Sequence, residues 1–354
     1  MIPFYNPEKS YEDNLTEGPY GVFSDSLVME MEGEPKYNFF SYKVYSPFGI
    51  PAGPLINGKF VEAALDKGFD IVTYKTVRTR KYPCHPWPNV LSLEIEGNLS
   101  LEKAQGKLIA DSNYKEPLSI TNSFGVPSTE PEFWQKEIKE LVKKTRGGQI
   151  IIGSFQGTKK EGQSVDDYIK DFCLAAKLLK ETGVHVLEVN LSCPNEGTVD
   201  LLCYDTERSI QVVKSIKNEI REIPLIIKIA YFENDDILFY FVKEIGSIVQ
   251  GISAINTISA TIVDKNGEQI LPGEGRSRGG VCGSAIKWAG LDMVKRLKNI
   301  RKKLGYSFTI IGVGGVMNFD DFIEYRNNGA DIVMSATGSM WNPYLARDIK
   351  EKLE

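Results

Sequence analysis

His185-Val186-Leu187-Glu188-Val189 runs without a break into Asn190-Leu191-Ser192-Cys193-Pro194-Asn195. The first five residues have the length and the Val/Leu content of a strand buried on both faces, as in a parallel sheet. Polar residues follow at once, at the carboxyl end of the strand, where open and closed α/β folds carry their chemistry. Two carboxamides, a hydroxyl and a thiol fall within six residues, and Pro194 stiffens the turn behind the thiol. Carboxamides donate and accept, which suits a planar ligand with alternating N–H and C=O groups. A thiol beside them has the chemistry of an acid, a base or a nucleophile. Taken alone, a cysteine reads as a small buried side chain. Its neighbours make Cys193 the candidate catalytic residue.

Outward from this block, strand-like apolar runs alternate with stretches of helical period. The strand candidates are Phe48–Ala52, Phe69–Lys75, Leu118–Asn122, Gln149–Ser154, His185–Asn190, Leu225–Ile229, Gly251–Asn256, Thr309–Val313 and Asp331–Ser335. Helical patterns cover Phe133–Lys144, Val165–Glu181, Glu207–Ile220, Ala285–Lys303 and Asp320–Asn328. Such alternation specifies a parallel sheet with crossover helices. With no break in composition, the chain reads as one closed (β/α)8 TIM barrel over residues 46–354. One of the nine strand candidates is then surplus, and Leu118–Asn122 is among the shortest. Residues 1–45, rich in Tyr, Glu, Pro and Asn, form an N-terminal extension expected to wrap the barrel base or an edge. Residues 80–117 form a long insertion after the second run. Alternation near Val90–Ile95 implies a small hairpin within it, and connections of this length usually serve a site or an interface.

The 354 residues carry a net charge of -5, with 42% hydrophobic and 25% charged residues. This is a soluble globular composition, and the acidic balance argues against nucleic acid as a partner. The first ten residues contain no apolar core of signal-peptide length, and no stretch is apolar enough to cross a bilayer, so neither leader nor membrane anchor is expected. Five cysteines (Cys84, Cys173, Cys193, Cys203 and Cys282) form no paired motif, and the two histidines, His85 and His185, are far apart. Neither a disulfide framework nor a metal site follows from that pattern, and a reducing cytoplasm does.

Polar residues gather where a barrel builds its site. Lys75 and Asn122 end their runs, Asn190 ends the fifth, Lys228 lies near the end of the sixth, and Asn256-Thr257 ends the seventh. Lys228 lies within Pro224-Leu225-Ile226-Ile227-Lys228-Ile229-Ala230, where a charge is costly unless partnered. Three late glycine clusters accompany them: Arg278-Gly279-Gly280-Val281-Cys282-Gly283, Ile311-Gly312-Val313-Gly314-Gly315-Val316 and Ser335-Ala336-Thr337-Gly338. Glycines let backbone N–H groups approach phosphate oxygens, and the last strands of such barrels commonly do so. A flavin mononucleotide (FMN) accounts for both sets. Its phosphate would lie on the glycine loops and its ring across the strand ends, with Lys228 near the ring edge that becomes anionic on reduction. A flavin-free barrel enzyme acting on a sugar phosphate is the alternative.

The chain from about residue 46 to 350 resembles the dihydroorotate dehydrogenases, and Asn190-Leu191-Ser192-Cys193-Pro194-Asn195 is similar to their class 1 signature. The resemblance implies an FMN-bearing β/α barrel that oxidises dihydroorotate to orotate in pyrimidine synthesis. Cys193 would remove the C5 proton while the C6 hydride passes to flavin N5. A Cys here, where the membrane-bound class has Ser, implies the soluble class, a cytoplasmic homodimer and, in some members, an electron-transfer partner subunit. Tyr74-Lys75-Thr76 is similar to the strand-end Lys segment that touches flavin and orotate. Asn122-Ser123-Phe124-Gly125-Val126-Pro127 is similar to the segment whose amide and backbone hold orotate. Asn190, Asn195, Asn256 and Thr257 would complete the hydrogen bonds to the pyrimidine, Asn195 separating this family from related dihydropyrimidine dehydrogenases. Ala52, Gly53, Lys75, Thr76, Asn190, Lys228, Gly280, Gly314, Gly315, Ala336 and Thr337 fall where the family binds FMN.

Three departures accompany the likeness. The usual Pro-Gly-Lys-Pro-Gln lid is replaced by Glu196-Gly197-Thr198-Val199-Asp200 and loses its lysine. The loop Cys84-His85-Pro86-Trp87-Pro88-Asn89 lacks the usual Arg, and Ala336 stands where glycine is common. The first two bear on substrate choice and on the electron acceptor, and they keep a flavin reductase for another cyclic amide in play.

Overall fold

A computed structural model describes residues 3–31, 33–116, 118–192 and 201–353. Cys193, Asn195 and the lid at 196–200 lie outside the described residues. Eight parallel strands close into a barrel in sequence order: β1 Phe48–Ile50, β2 Ile71–Val77, β3 Ile150–Phe155, β4 Val186–Asn190, β5 Leu225–Ile229, β6 Gly251–Ala254, β7 Thr309–Val313 and β8 Ile332–Met334. All but the first residue of β7 are buried, as a sheet covered on both faces requires. The crossover helices are α1 Gly58–Asp66, α2 Pro131–Lys144, α3 Val165–Lys180, α4 Thr206–Ile220, α5 Asp235–Ile245, α6 Lys287–Leu304, α7 Phe319–Asn328 and α8 Leu345–Leu353. The expected (β/α)8 barrel is the observed fold.

Local chemistry sets where these helices begin and end. Asn57, Ser164, Asp205, Asn234 and Asn318 each accept a hydrogen bond from a backbone N–H of the first turn, and Pro131 opens α2. Gly305 and Gly329 close α6 and α7 in the left-handed conformation.

The surplus strand has a place of its own. Ser119–Asn122 joins Ser92–Leu93, Lys107–Asp111, Ile258–Val263 and Arg278–Gly283 in a second, five-stranded closed sheet outside the main barrel. The insertion contains an antiparallel pair, Ser92–Leu93 with Lys107–Asp111, whose second strand lies further along the chain than the small hairpin expected near Val90–Ile95. The cluster Arg278–Gly283, read as a glycine loop, is a strand. Its glycines let it lie between Ile258–Val263 and Ser119–Asn122, with which it pairs antiparallel.

Residues 3–45 divide between the two ends of the barrel. A hairpin, Tyr37–Phe39 with Tyr42–Val44, puts Phe39 and Val44 against Ile71, Ile150, Val186, Ile226 and Ile332, and so closes the amino-terminal end of the strands. The segment before it climbs the other way. Phe4 N–H donates to Met340 O at 3.0 Å, and the Trp87 indole donates to Pro7 O at 3.0 Å. It thereby reaches the end where the strands finish.

Candidate active site

The ends of seven of the eight barrel strands, all but β3, bring residues around one space. A cavity of about 1210 Å3, mouth included, is lined by Ala52 and Gly53 after β1, Lys75 and Thr76 on β2, Asn190 on β4, Lys228 on β5, Asn256 and Thr257 after β6, Gly314 and Gly315 after β7, and Ala336 and Thr337 after β8. Asn122, Phe124 and Val126 line it from the side of the second sheet. Of the residues singled out in the sequence, Gly125 and Gly280 do not line it. Gly125 lies under the His85 ring, and a Cβ on Gly280 would be 2.5 Å from Thr257 Oγ1, so its bareness serves packing.

The carboxamides are held rather than free. Asn190 donates to Gln156 Oε1 at 2.9 Å and accepts from Ser192 N–H at 3.1 Å. Asn256 donates to Ser192 O at 2.7 Å, tying the end of β6 to the residue just before Cys193. Lys228, 5% exposed, donates to Ala52 O at 3.2 Å, so its ammonium crosses the barrel mouth to the turn after β1. The glycine turn is built from behind: the Tyr325 hydroxyl of α7 donates to Gly314 O at 2.6 Å. Gly314 and Gly315 have φ of 128° and 66°, conformations that glycine adopts without strain, so bare backbone turns past the cavity there.

The Gly125-Val126 turn is also left-handed, at φ 75° and 54°. For Val126 this is a strained conformation, since a β-branched side chain crowds the backbone there. Arg78, which sequence reasoning missed, holds the strain in place. It is buried at the end of β2 and donates to Val126 O at 2.9 Å, Gly125 O at 3.4 Å and Gly157 O at 3.2 Å. Arg276 grips the same segment two residues before the turn, donating to Ser123 O at 3.2 Å and to the Ser123 hydroxyl. The signal for Arg78 was present, because an arginine follows directly on a strand in which Lys75 is the one charged residue.

Glu188 was missed as well, although it lies in the block that decides the fold. Its side chain is fully buried inside the barrel, where Ser154 Oγ donates to it at 3.0 Å and Ser154 contacts Thr76 Oγ1 at 2.9 Å. Burial raises its carboxyl above the usual range, against the attraction of Lys228. The strand pairing sets Glu188 beside Ile226, one inward-facing position below Lys228. The Asn122 side chain hydrogen-bonds Cys282, whose thiol burial pushes up to about 12 although Lys228 acts to lower it. Burial does the same to Cys84 and Cys203, each to about 12, and raises Cys173. None of the described thiols is poised to ionise near neutral pH.

Among the described residues no three His, Cys, Asp or Glu side chains form a metal site, and no helix is long and apolar enough to cross a membrane. A family model described as dihydroorotate dehydrogenase matches residues 112–354. The chain is 37% identical to a dihydroorotate dehydrogenase of Dictyostelium discoideum, over 97% of this chain and 95% of that protein. It is 30% identical to the catalytic subunit of dihydroorotate dehydrogenase B (NAD(+)) of Thermodesulfovibrio yellowstonii, over 75% of this chain and 82% of that protein. The corresponding subunit of Desulforamulus reducens is 28% identical over 67% of this chain. A likeness that spans almost the whole chain, on a barrel whose mouth gathers the strand-end lysines and asparagines, means that the chain belongs to the dihydroorotate dehydrogenase family.

Proposed function

We propose that the protein oxidises dihydroorotate to orotate in pyrimidine biosynthesis, with FMN as its cofactor. The observation that carries this reading is the single cavity in which two buried lysines, three asparagines and a left-handed glycine turn face one another. Such a donor set suits a planar imide bearing a carboxylate, stacked on a phosphate-anchored ring. Family membership supports it, and the relatives from D. discoideum and T. yellowstonii carry that enzyme's name.

The residues present fit FMN. Gly314, Gly315, Ala336 and Thr337 would hold the phosphate; Ala52, Gly53, Lys75, Thr76, Asn190 and Lys228 would hold the ring, with Gly280 behind Thr257. When bound, FMN supplies the acceptor for the hydride leaving C6 of the substrate. The chain does the rest. Cys193 takes the C5 proton, a role for which the buried, high-pKa thiols of Cys84, Cys203 and Cys282 are unsuited. Lys75, Asn122 and the Phe124-Gly125-Val126 backbone orient the substrate, and Asn190, Asn195, Asn256 and Thr257 complete its hydrogen bonds. Lys228 keeps a fixed positive charge at the cofactor edge, in a low-dielectric site where it counts for more than in water. The same reading makes the protein a cytoplasmic homodimer.

An absorbance spectrum and anaerobic mixing test this. Purified protein shows flavin bands that dihydroorotate bleaches, and Cys193→Ser retains FMN while bleaching slows by orders of magnitude at neutral pH. An unchanged rate removes Cys193 as the base. The lid without its lysine and the loop without its arginine favour a second reading, a reductase of a cyclic amide such as dihydrouracil. Bleaching by dihydrouracil in preference to dihydroorotate selects that reading. A panel of fumarate, quinone and NAD+ with a partner subunit assigns the electron acceptor.

A further inference from the structure

The amino-terminal segment places one side chain in the cavity that the barrel does not supply. Tyr5 lines it together with Lys75, Asn122 and Phe124. Its ring meets Phe124 edge-on, with centroids 5.5 Å apart and planes at 81°. The backbone on either side is fixed. Phe4 N–H donates to Met340 O at 3.0 Å, Tyr20 N–H donates to Phe4 O at 3.0 Å, and Asn6 N–H donates to the buried Asn14 side chain at 2.8 Å. Tyr5 is 2% exposed, and its hydroxyl has no hydrogen-bond partner among the described residues.

A buried hydroxyl without a partner is a net loss to the folded protein, and packing does not need it. The neighbouring cluster makes the point: Phe4, Phe23 and Phe60 fill the adjacent space with bare rings. A phenylalanine at position 5 would keep the contact with Phe124 and leave no unsatisfied oxygen. Burial, aided by the nearby Cys84, also holds the Tyr5 phenol far above its usual ionisation range, so it remains an O–H donor. Its edge-on partner Phe124 belongs to the Asn122–Val126 segment rather than to the glycine turn, which sets the Tyr5 side chain at the substrate's side of the cavity.

We infer that Tyr5, delivered by the amino-terminal segment, is a substrate-binding residue whose O–H donates a hydrogen bond to the bound dihydroorotate or orotate. This rests on the function proposed above, and it adds to the barrel's ligand set a residue from outside the barrel. The test is Tyr5→Phe in the FMN-loaded enzyme, with three readouts. Orotate affinity is read from the flavin difference spectrum. The concentration dependence of bleaching by dihydroorotate is read by stopped flow, and the melting temperature is read without substrate.

The expected result is a roughly 3- to 10-fold weaker affinity for both pyrimidines, the effect of one neutral hydrogen bond. The limiting bleaching rate stays within about twofold, because a positioning hydrogen bond made equally in ground and transition states acts on binding alone. The melting temperature is unchanged or higher, because the variant sheds an unsatisfied buried oxygen. Unchanged affinity, a loss confined to reoxidation by the acceptor, or a lowered melting temperature each overturns the assignment. If the wild-type flavin is not bleached by dihydroorotate at all, the proposed function fails and this inference falls with it. Bleaching of wild type with an identical Tyr5→Phe titration removes Tyr5 alone.

Discussion

Gly315 and Gly305 have almost the same backbone conformation in very different surroundings, and replacing each by alanine separates the two contributions to the glycine turn. Their φ values are 66° and 68°. At Gly305, which caps α6, an added Cβ has nothing within 4 Å. Gly305→Ala therefore carries only the left-handed penalty, about 1 kcal/mol. At Gly315 the same Cβ would lie 2.7 Å from Lys287 Cβ, 2.9 Å from Gly283 O and 2.9 Å from Lys287 Cα. Two of those atoms are backbone and cannot swing aside, so a steric term of about 2 kcal/mol is added. At roughly 2 cal/mol/K of unfolding entropy per residue, the apoprotein should melt about 4 °C lower for Gly315→Ala and about 1 °C lower for Gly305→Ala. The holoprotein should separate them further. Gly315→Ala reshapes the turn proposed to hold the phosphate and should purify with little flavin, losing the stabilisation that a bound ligand adds, whereas Gly305→Ala should remain fully yellow. Scanning calorimetry of both forms and the ratio of flavin to protein absorbance decide the matter. Equal melting shifts would refute the steric argument, and full flavin content in Gly315→Ala would refute the phosphate assignment.

Three further outcomes are expected. Burial, with Arg276 and Arg78 nearby, depresses His85 to about 4 from an ordinary 6.5, so its contribution to stability is complete above pH 6.5 and is lost as pH falls from 6.5 towards 4. His85→Asn should flatten that part of the urea-midpoint profile, and a slope as steep as wild type would remove His85 as its source. Lys350 of α8 pairs with the fully buried Asp70 at 2.8 Å, so Lys350→Met strands a carboxylate and should cost about 3–5 kcal/mol in urea unfolding. Adding Asp70→Asn should restore most of it, and purely additive losses would contradict the pairing. Lys228→Gln should slow bleaching by dihydroorotate about 100-fold or more, the usual loss for one electrostatic contact at a reacting centre, and a wild-type rate would clear Lys228 of any role.

The barrel could be read from the sequence because each parallel strand is buried on both faces and so appears as an unbroken apolar run. A polar residue at its end then stands out; Lys75, Asn190 and Asn256 were found that way, and Asn122 by the same test on a strand of the second sheet. Glu188 escaped the same test because it lies inside a run rather than at its end. In a strand of five residues, nothing local shows that an even-numbered side chain points into the lumen. The glycine pattern was informative after β7 and misleading at residues 278–283. Phosphate turns and closely paired strands both need bare backbone, and only the partners of Gly280 tell them apart. The strand Ile258–Val263 was lost with it, since a two-stranded pairing is visible only when both partners are recognised.

The amino-terminal segment was illegible for a different reason, and that reason bears on what it can bring to the site. Residues 3–24 have neither strand nor helix period beyond the short, Ser10-capped turn Tyr11–Glu17, so no face can be assigned to them in advance. Their position is fixed by contacts distant in sequence: Phe4 with Met340, Pro7 with Trp87, Leu15 with Asn57, and Tyr5 with Phe124. Barrel strand ends can present only residues whose spacing suits the strand, whereas a segment laid across the mouth is free of that limit. It meets the cavity beside the loop that carries Cys84, His85 and Trp87. The amino-terminal segment therefore adds Tyr5 to the lysines and carboxamides that the barrel brings to the same cavity. Exchanging Tyr5 should accordingly weaken pyrimidine binding more than exchanging any described loop residue between Pro83 and Asn89.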